Sequence, residues 1–524
     1  MRAEAAALAG NRRLITVALM SGIFLTAISS TIVVTASPSI VRSLEGLELF
    51  SWVFSAYLIT MTVSTPLYGK LADSYGRKPI YFIGIGVFLT GALLCGLAQN
   101  MPQLVFFRLL QGLGAGAVQP IALTLAGDLF PIEQRARIQG LFSSMWALAS
   151  MCGPLVGGVI IALLSWHWVF WVNLPIGLAS ALLMAKTLHE TVRRRRHQLD
   201  WWGAGAVAVG VSAFLVALYE LRGTPTGIPL GGGPLFALAA ALLVFFVWWE
   251  RRTPEPLLPL ELFRIRVVAA GAVAATLGGV AMQGVATFGP LFVQGVLGGE
   301  PWQAGYALLP NDLTWIVGSV GASRIILRYG YRTAVAAGMS LALLGCLATS
   351  RVGADASILG FGLVLGICGF GFGSIVTPVT IAVQNSVEWA QRGVATATTV
   401  FFQSIGRSVG VALLGLALNA QLLARLGDEG AAGLGSSMGD VTELLDPAQT
   451  AMLDPAVAAT LRRALEQGLH GVFLLMAASL FVGLLVALFF IPGGRAAEHL
   501  RGANRPAAPA APEEPARRQV GATD

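Results

Sequence analysis

The stretch Gly69 to Lys78, GKLADSYGRK, lies between two apolar blocks, 50 to 68 and 79 to 98, and is echoed from Ser323 to Tyr331 as SRIILRYGY. Lys70 aligns with Arg324, Tyr75 with Tyr329 and Gly76 with Gly330, while Leu327 stands where Asp73 does. A charged turn between apolar blocks, present twice, points to a chain built from two similar halves. Gly76 suits a tight turn because glycine reaches positive φ at no steric cost. Asp73, Arg77 and Lys78 supply charges that can pair across the halves and hold that side shut. The plainer alternative is a solvated basic loop, since helix-end charges also follow from topology alone.

Outward from this turn the chain is apolar. Of its 524 residues 55% are hydrophobic and only 12% charged, against roughly 25% charged in a soluble domain, which excludes a water-soluble fold. The apolar blocks fall at 14–36, 50–68, 79–98, 103–127, 138–164, 168–188, 202–221, 231–249, 268–296, 304–327, 333–350, 356–382, 394–420 and 470–491. Their lengths are near the roughly 20 residues a helix needs to cross a hydrocarbon core about 30 Å thick, and they lack the alternation of barrel strands. The first block, Ile15 to Val34, follows Arg12 and Arg13; it is too long for a signal-peptide core and reads as an uncleaved span. Lys and Arg gather in alternate loops, including Lys70 to Lys78, Arg135 and Arg137, Arg193 to Arg196, Arg328 and Arg332, and Arg392. The positive-inside rule then places both termini in the cytoplasm and requires an even number of spans.

These blocks predict an all-α integral membrane protein of 14 spans: a first six-helix bundle over 1–190, an inserted helix pair with its linkers over 191–266, and a second six-helix bundle over 267–492. Parallel repeats of this kind put a substrate cavity between the halves near mid-membrane. An external loop over 424–469 carries more acids than bases, and Leu453, Val457, Leu461 and Leu465 recur every four residues. That spacing predicts a short amphipathic helix lying on the membrane face or capping the bundle. Residues 493–524 form a cytoplasmic tail whose Pro, Ala, Arg and Glu content predicts disorder.

The net charge of +7 sits in short clusters between spans, a record of topology and not a nucleic-acid surface. Cys95, Cys152, Cys346 and Cys368 all lie in apolar blocks and are expected as free thiols. The five histidines, His167, His189, His197, His470 and His499, lack metal-ligand spacing, so no metal site is expected. No clustered nucleophile and base point to an enzyme.

GKLADSYGRK, RLLQGLGAG (Arg108 to Gly116), GPLVGG (Gly153 to Gly158), WHWVFWVNLPIG (Trp166 to Gly177), GYALLP (Gly305 to Pro310) and RGVATATTVFFQSIGRSVGVAL (Arg392 to Leu413) follow one another along nearly the whole chain. In order and spacing they resemble the fourteen-span drug:proton antiporters of the major facilitator superfamily. The resemblance implies a monomeric exporter in the bacterial inner membrane, without a cofactor and driven by the proton gradient, whose partners are small amphiphilic substrates and the lipid bilayer. It makes GPLVGG the exporter-type motif; physically, Gly153 and Gly157 lie one turn apart and allow close helix approach, and Pro154 favours a bend. It casts Arg108, a permanent charge in an apolar block at a cost of at least about 2.5 kcal/mol, as part of the proton-coupling machinery, the alternative being an arginine that snorkels to the outer face.

Asp312, after Pro310, is the clearest carboxylate at membrane depth in the second half. It can serve as a proton carrier and attract a cation, or it can cap a helix mouth beside Asn311. Ser29 stands where relatives of this type carry a first-span acid, which questions the usual coupling route and a cationic substrate. Arg407, another cation inside a span, suits an anionic or amphiphilic substrate. The cavity wall is expected to include Gln119, Trp146, Gln283, Phe288, Trp315 and Gln403, together with Ser29 and Arg407. Two other functions fit the residues: an exporter or flippase of a neutral or anionic endogenous lipid or metabolite, and a non-transporting membrane sensor or scaffold. The latter predicts an output domain that the short tail does not resemble.

Overall fold

A computed structural model describes residues 2–45, 49–188, 200–221, 231–254, 256–428 and 455–493. Arg193 to Arg196, His189, His197, His499, residues 429–454 of the predicted external loop, Leu453 among them, and the tail beyond 493 lie outside the described residues. Within them the chain is all-helical: α1 Arg2–Leu44, α2 Phe50–Tyr75, α3 Arg77–Cys95, α4 Met101–Leu129, α5 Ile132–Leu163, α6 Trp168–Trp171, α7 Asn173–Thr187, α8 Trp201–Leu221, α9 Gly232–Glu250, α10 Arg266–Gly295, α11 Pro301–Tyr329, α12 Tyr331–Thr349, α13 Ile358–Asn385, α14 Arg392–Asp428 and α15 Pro455–Phe490. Among the described residues twelve helical segments are long and apolar enough to cross a membrane, α6 and α7 together forming one of them. Two more helices, α2 with 26 residues and α11 with 29, fall outside that set, being more polar: α2 carries Ser and Thr through its apolar stretch, and α11 carries Asn311 and Asp312.

Local chemistry sets where the helices begin. Asn100 caps α4 by accepting the Gln103 N–H at 3.0 Å, and Ser357 caps α13 by accepting the Gly360 N–H at 3.1 Å. Glu300 and Gln303 form a reciprocal capping box at the start of α11, each satisfying a backbone donor that the first turn leaves free. Inside α4, Pro120 cannot bond the Gly116 carbonyl, which instead accepts from the Thr65 hydroxyl of α2 at 3.4 Å.

The repeat read from the sequence is present in the backbone. Gly76 and Gly330 join α2 to α3 and α11 to α12, and both take positive φ, 99° and 90°. Gly84 and Gly91 of α3 lie against Gly114 and Gln111 of α4, and Gly338 and Gly345 of α12 lie against Ser374 and Cys368 of α13. Small residues of this kind let helices approach closely in a bilayer, where apolar burial alone gives no preference for a neighbouring helix over lipid.

Helices α1 to α5 and α7 pack around Tyr57, Tyr81 and Phe88, α6 adds Val169 and Phe170 to a second cluster with Ile28 and Ile32, and α10 to α15 pack around Phe292, Phe361 and Phe473. Two seams join these lobes: α2 against α14, and α5 against α11. The α8–α9 hairpin lies outside both lobes and packs through α8 on α2 and α14, with Val207, Val211 and Leu215 against Ile59, Phe401 and Ala412. It covers the first seam and leaves the second free of it.

Residues 455–469 differ from expectation. They form no separate surface helix but the first turns of α15, with Leu461 and Leu465 buried in the same core as Val296 and Leu422. Arg462 donates to the Val296 carbonyl, and Glu466 accepts the Ala354 N–H at 3.1 Å. The four-residue period of these leucines reports packing within the bundle. The four cysteines are free; the sulfurs of Cys346 and Cys368 lie 3.9 Å apart.

Candidate functional site

At the end that carries the Gly69–Lys78 turn, here the basic end, the lobes are tied together. The Asp73 carboxylate accepts the N–H groups of Gly393 and Val394, at 2.9 and 2.8 Å. These are first-turn amides of α14, which have no partner inside their own helix and carry the positive pole of its dipole. Arg77 lies 3.5 Å from Asp73 and 2.9 Å from Asp128 at the end of α4. Asp128 in turn pairs with Arg392 of the other lobe at 3.3 Å. Arg77 also lies over the Trp389 ring, 4.4 Å from its centroid.

Beneath this layer, Arg135 of α5 donates to the Asn385 side chain at 2.7 Å, Asn385 donates to the Tyr331 hydroxyl at 2.7 Å, and Gln384 donates to the Leu123 carbonyl at 3.0 Å. Gly69 is needed for this closeness: a Cβ there would stand 2.3 Å from the Ala397 methyl. Lys78 donates to the Ala185 and Leu188 carbonyls at 2.9 and 2.6 Å and so ties α3 to the end of α7 in its own lobe.

Gly153 and Gly157 face α1, where added Cβ atoms would meet the Thr31 hydroxyl at 2.2 Å and the Thr35 Cβ at 3.1 Å. With Pro154 between them in α5, they set the packing of α5 on α1 within the first lobe. The Thr31 hydroxyl donates to the Ala149 carbonyl at 3.0 Å and strengthens the same contact.

Between the lobes lies a cavity of about 330 Å³, within the size range of small-molecule sites. Gln119, Gln139 and Trp146 line it from the first lobe; Gln283, Asp312, Trp315, Gln403 and Arg407 line it from the second. Asp312 sits in mid-helix, eleven residues after the start of α11 at Pro301, and its carboxylate accepts from Asn311 Nδ2 at 3.1 Å. The helix-mouth reading therefore fails, because the capping groups of α11 are Glu300 and Gln303. Arg407 lies 5.9 Å from the centroid of the Trp146 ring across the cavity. Among the described residues neither Asp312 nor Arg407 has an ion-pair partner.

Two expected wall residues lie elsewhere. Phe288 is buried in the core of the second lobe. Ser29 is buried against Arg108, whose side chain is fully enclosed and so does not snorkel. Arg108 donates to the Val53 carbonyl at 2.9 Å, to Gln111 at 2.7 Å and to the Ser29 hydroxyl at 3.3 Å, and it lies 4.1 Å from the centroid of the Tyr57 ring. Its charge is met by dipoles and a ring face, with no carboxylate in ion-pair contact among the described residues. Arg108 and Asp312 are thus not brought together: one is enclosed in the first lobe, the other lines the cavity from the second.

Sequence reasoning passed over Asp128, Gln384, Asn385 and the wall residue Gln139. Asp128 left a signal, an acid at the end of a span whose neighbouring loop is basic; the amides left none, since Gln and Asn also end spans for solvation alone. Among the described residues no group of three His, Cys, Asp or Glu side chains is placed to hold a metal.

Two repeated helical lobes, tied at one end around a central polar and aromatic cavity, are the architecture of a solute transporter. The chain belongs to the Major Facilitator Superfamily, whose family model matches residues 19–411. It is 32% identical over 487 residues to Multidrug resistance protein 3 of Bacillus subtilis (strain 168), covering 91% of this chain and 94% of that one. It is 34% identical over 421 residues to the Multidrug transporter protein MdtP of the same organism, covering 78% and 76%. Among solved structures, the proton:xylose symporter XylE superposes with a TM-score of 0.58 at 14% identity, covering 94% of this chain and 99% of that one. The human organic anion transporter MFSD10 does so at 0.57 and 16%, covering 89% and 99%. These two likenesses are of fold.

Proposed function

We propose that the chain is a multidrug-type exporter of amphiphilic small molecules that works by alternating access, a transporter and not an enzyme. The observation that carries this reading is the central cavity, walled by both lobes and shut off at the basic end by Asp73, Asp128, Arg135 and Gln384. The positive-inside rule assigns the basic end to the cytoplasm, so this is the state closed toward the cell interior. Kinship with multidrug transporters of Bacillus subtilis supports both the substrate class and the direction. With α2 and α11 counted, fourteen spans put both termini in the cytoplasm of a bacterial inner membrane, and the chain acts as a monomer.

In this reading the proton gradient drives export and Asp312 is the proton carrier, being the carboxylate on the cavity wall. The test is uptake of a fluorescent amphiphilic amine into proteoliposomes under an imposed pH gradient, with the parent and Asp312→Asn compared. Gradient-driven uptake that falls at least about tenfold in the variant is expected, the scale of one lost coupling interaction. Equal uptake at every pH would remove Asp312 from the role. A second reading, export of an anionic lipid or metabolite, draws on Arg407 in the same wall.

A further inference from the structure

The cavity wall carries one acid and one base, Asp312 on α11 and Arg407 on α14, and among the described residues neither is neutralised by an ion pair. Charged groups enclosed in a protein are costly unless paired, so a wall that carries an unpaired acid and an unpaired base suits a ligand that brings charge of both signs. Arginine keeps its charge under all physiological conditions. In a site of low dielectric a singly charged cation would be repelled by Arg407, and a singly charged anion by ionised Asp312.

We infer that the preferred substrate is a zwitterionic amphiphile, its anionic group at Arg407, its cationic group at Asp312 and its aromatic or alkyl body between Trp146 and Trp315. This rests on the export reading above and names the substrate class for that site. It also accounts for the Arg407–Trp146 contact at 5.9 Å: the ring face holds the guanidinium until an anion replaces it. The substrate's cationic group and a proton then compete for one carboxylate, with Arg407 the only other charged side chain on the described wall.

The experiment uses three probes sharing one aromatic body and differing in headgroup: a trimethylammonium, a sulfonate and a sulfobetaine. Binding to purified protein is read by quenching of tryptophan fluorescence, and transport by uptake into proteoliposomes. The parent is expected to bind the sulfobetaine about tenfold more tightly than either singly charged probe, the step that one matched charge contributes. Arg407→Gln is expected to turn the preference to the trimethylammonium, Asp312→Asn to turn it to the sulfonate, and Arg407→Lys to keep the parent order, which also shows that the position tolerates change. A parent that favours a singly charged probe, or binds none, overturns the inference, as does an unchanged order in Arg407→Gln. Binding in the expected order with no gradient-driven transport of any probe would instead overturn the export reading and leave the substrate class standing.

Discussion

Gly91 is a position where one methyl group decides the contact between two helices. A Cβ there would lie 2.6 Å from the backbone N and Cα of Gln111, atoms that cannot rotate away. Because Gln111 also accepts from Arg108, any retreat of α4 disturbs the buried arginine. Gly91→Ala is expected to lower stability by about 1–3 kcal/mol, as overpacking does. Gly86→Ala on the same helix, with nothing within 4 Å of its Cβ, is expected to stay within about 0.5 kcal/mol of the parent. Thermal unfolding in detergent compares the two; equal melting temperatures would refute the close-approach account. Arg108 shows how far the sequence could be read at this scale. A permanent charge in an apolar block had to be buried with partners or reach the surface, and that much was legible. That its partners are the Val53 carbonyl, Gln111, Ser29 and the Tyr57 ring was not, because a main-chain carbonyl leaves no mark in the sequence. The same limit explains Ser29, whose replacement of an acid was visible but whose place behind the cavity was not.

The start of α14 is held by an acid from another helix in another lobe. Its own preceding residues, Trp389 to Gln391, form a tight turn, and Asp73 supplies the acceptors for the Gly393 and Val394 amides. Hydrogen bonds to a charged group contribute about 1.5–3 kcal/mol. Asp73→Ala is therefore expected to shift the balance roughly tenfold to a hundredfold toward the state open at the basic end. Accessibility of a cysteine placed at Leu123 to a membrane-impermeant thiol reagent, in protein cleared of its native cysteines, checks this. No gain in labelling would mean that the amide contacts do not hold the gate. From the sequence, Asp73 was legible as a charge able to pair across the halves, and the lost acid at Leu327 showed that the second copy differs. The partner of Asp73 was hidden, being backbone. The leucines of α15 misled for another reason: a period of four marks an apolar face but does not say whether lipid surface or bundle core covers it.

Over the whole molecule the two-lobed plan was legible, because a doubled turn motif and blocks of spanning length constrain the fold strongly. What the sequence withheld was the placement of α8 and α9. Both are apolar around most of their circumference, so no face points to a neighbour, and the contact of α8 with α2 and α14 emerges only in the assembled bundle. Since α8 grips both helices of that seam, distances across α5–α11 are expected to change more between conformational states than those across α2–α14. Spin-label pairs on each seam, measured with and without Asp73→Ala, test this; equal changes at both seams would exclude it. The Asp73 contact to α14 lies on the gripped seam, whereas Leu327 supplies no acid on the other. Two lobes free on both flanks would tilt like a balance beam; with α8 across one seam, these are expected to swing like a door hung on one jamb, its latch side at α5 and α11.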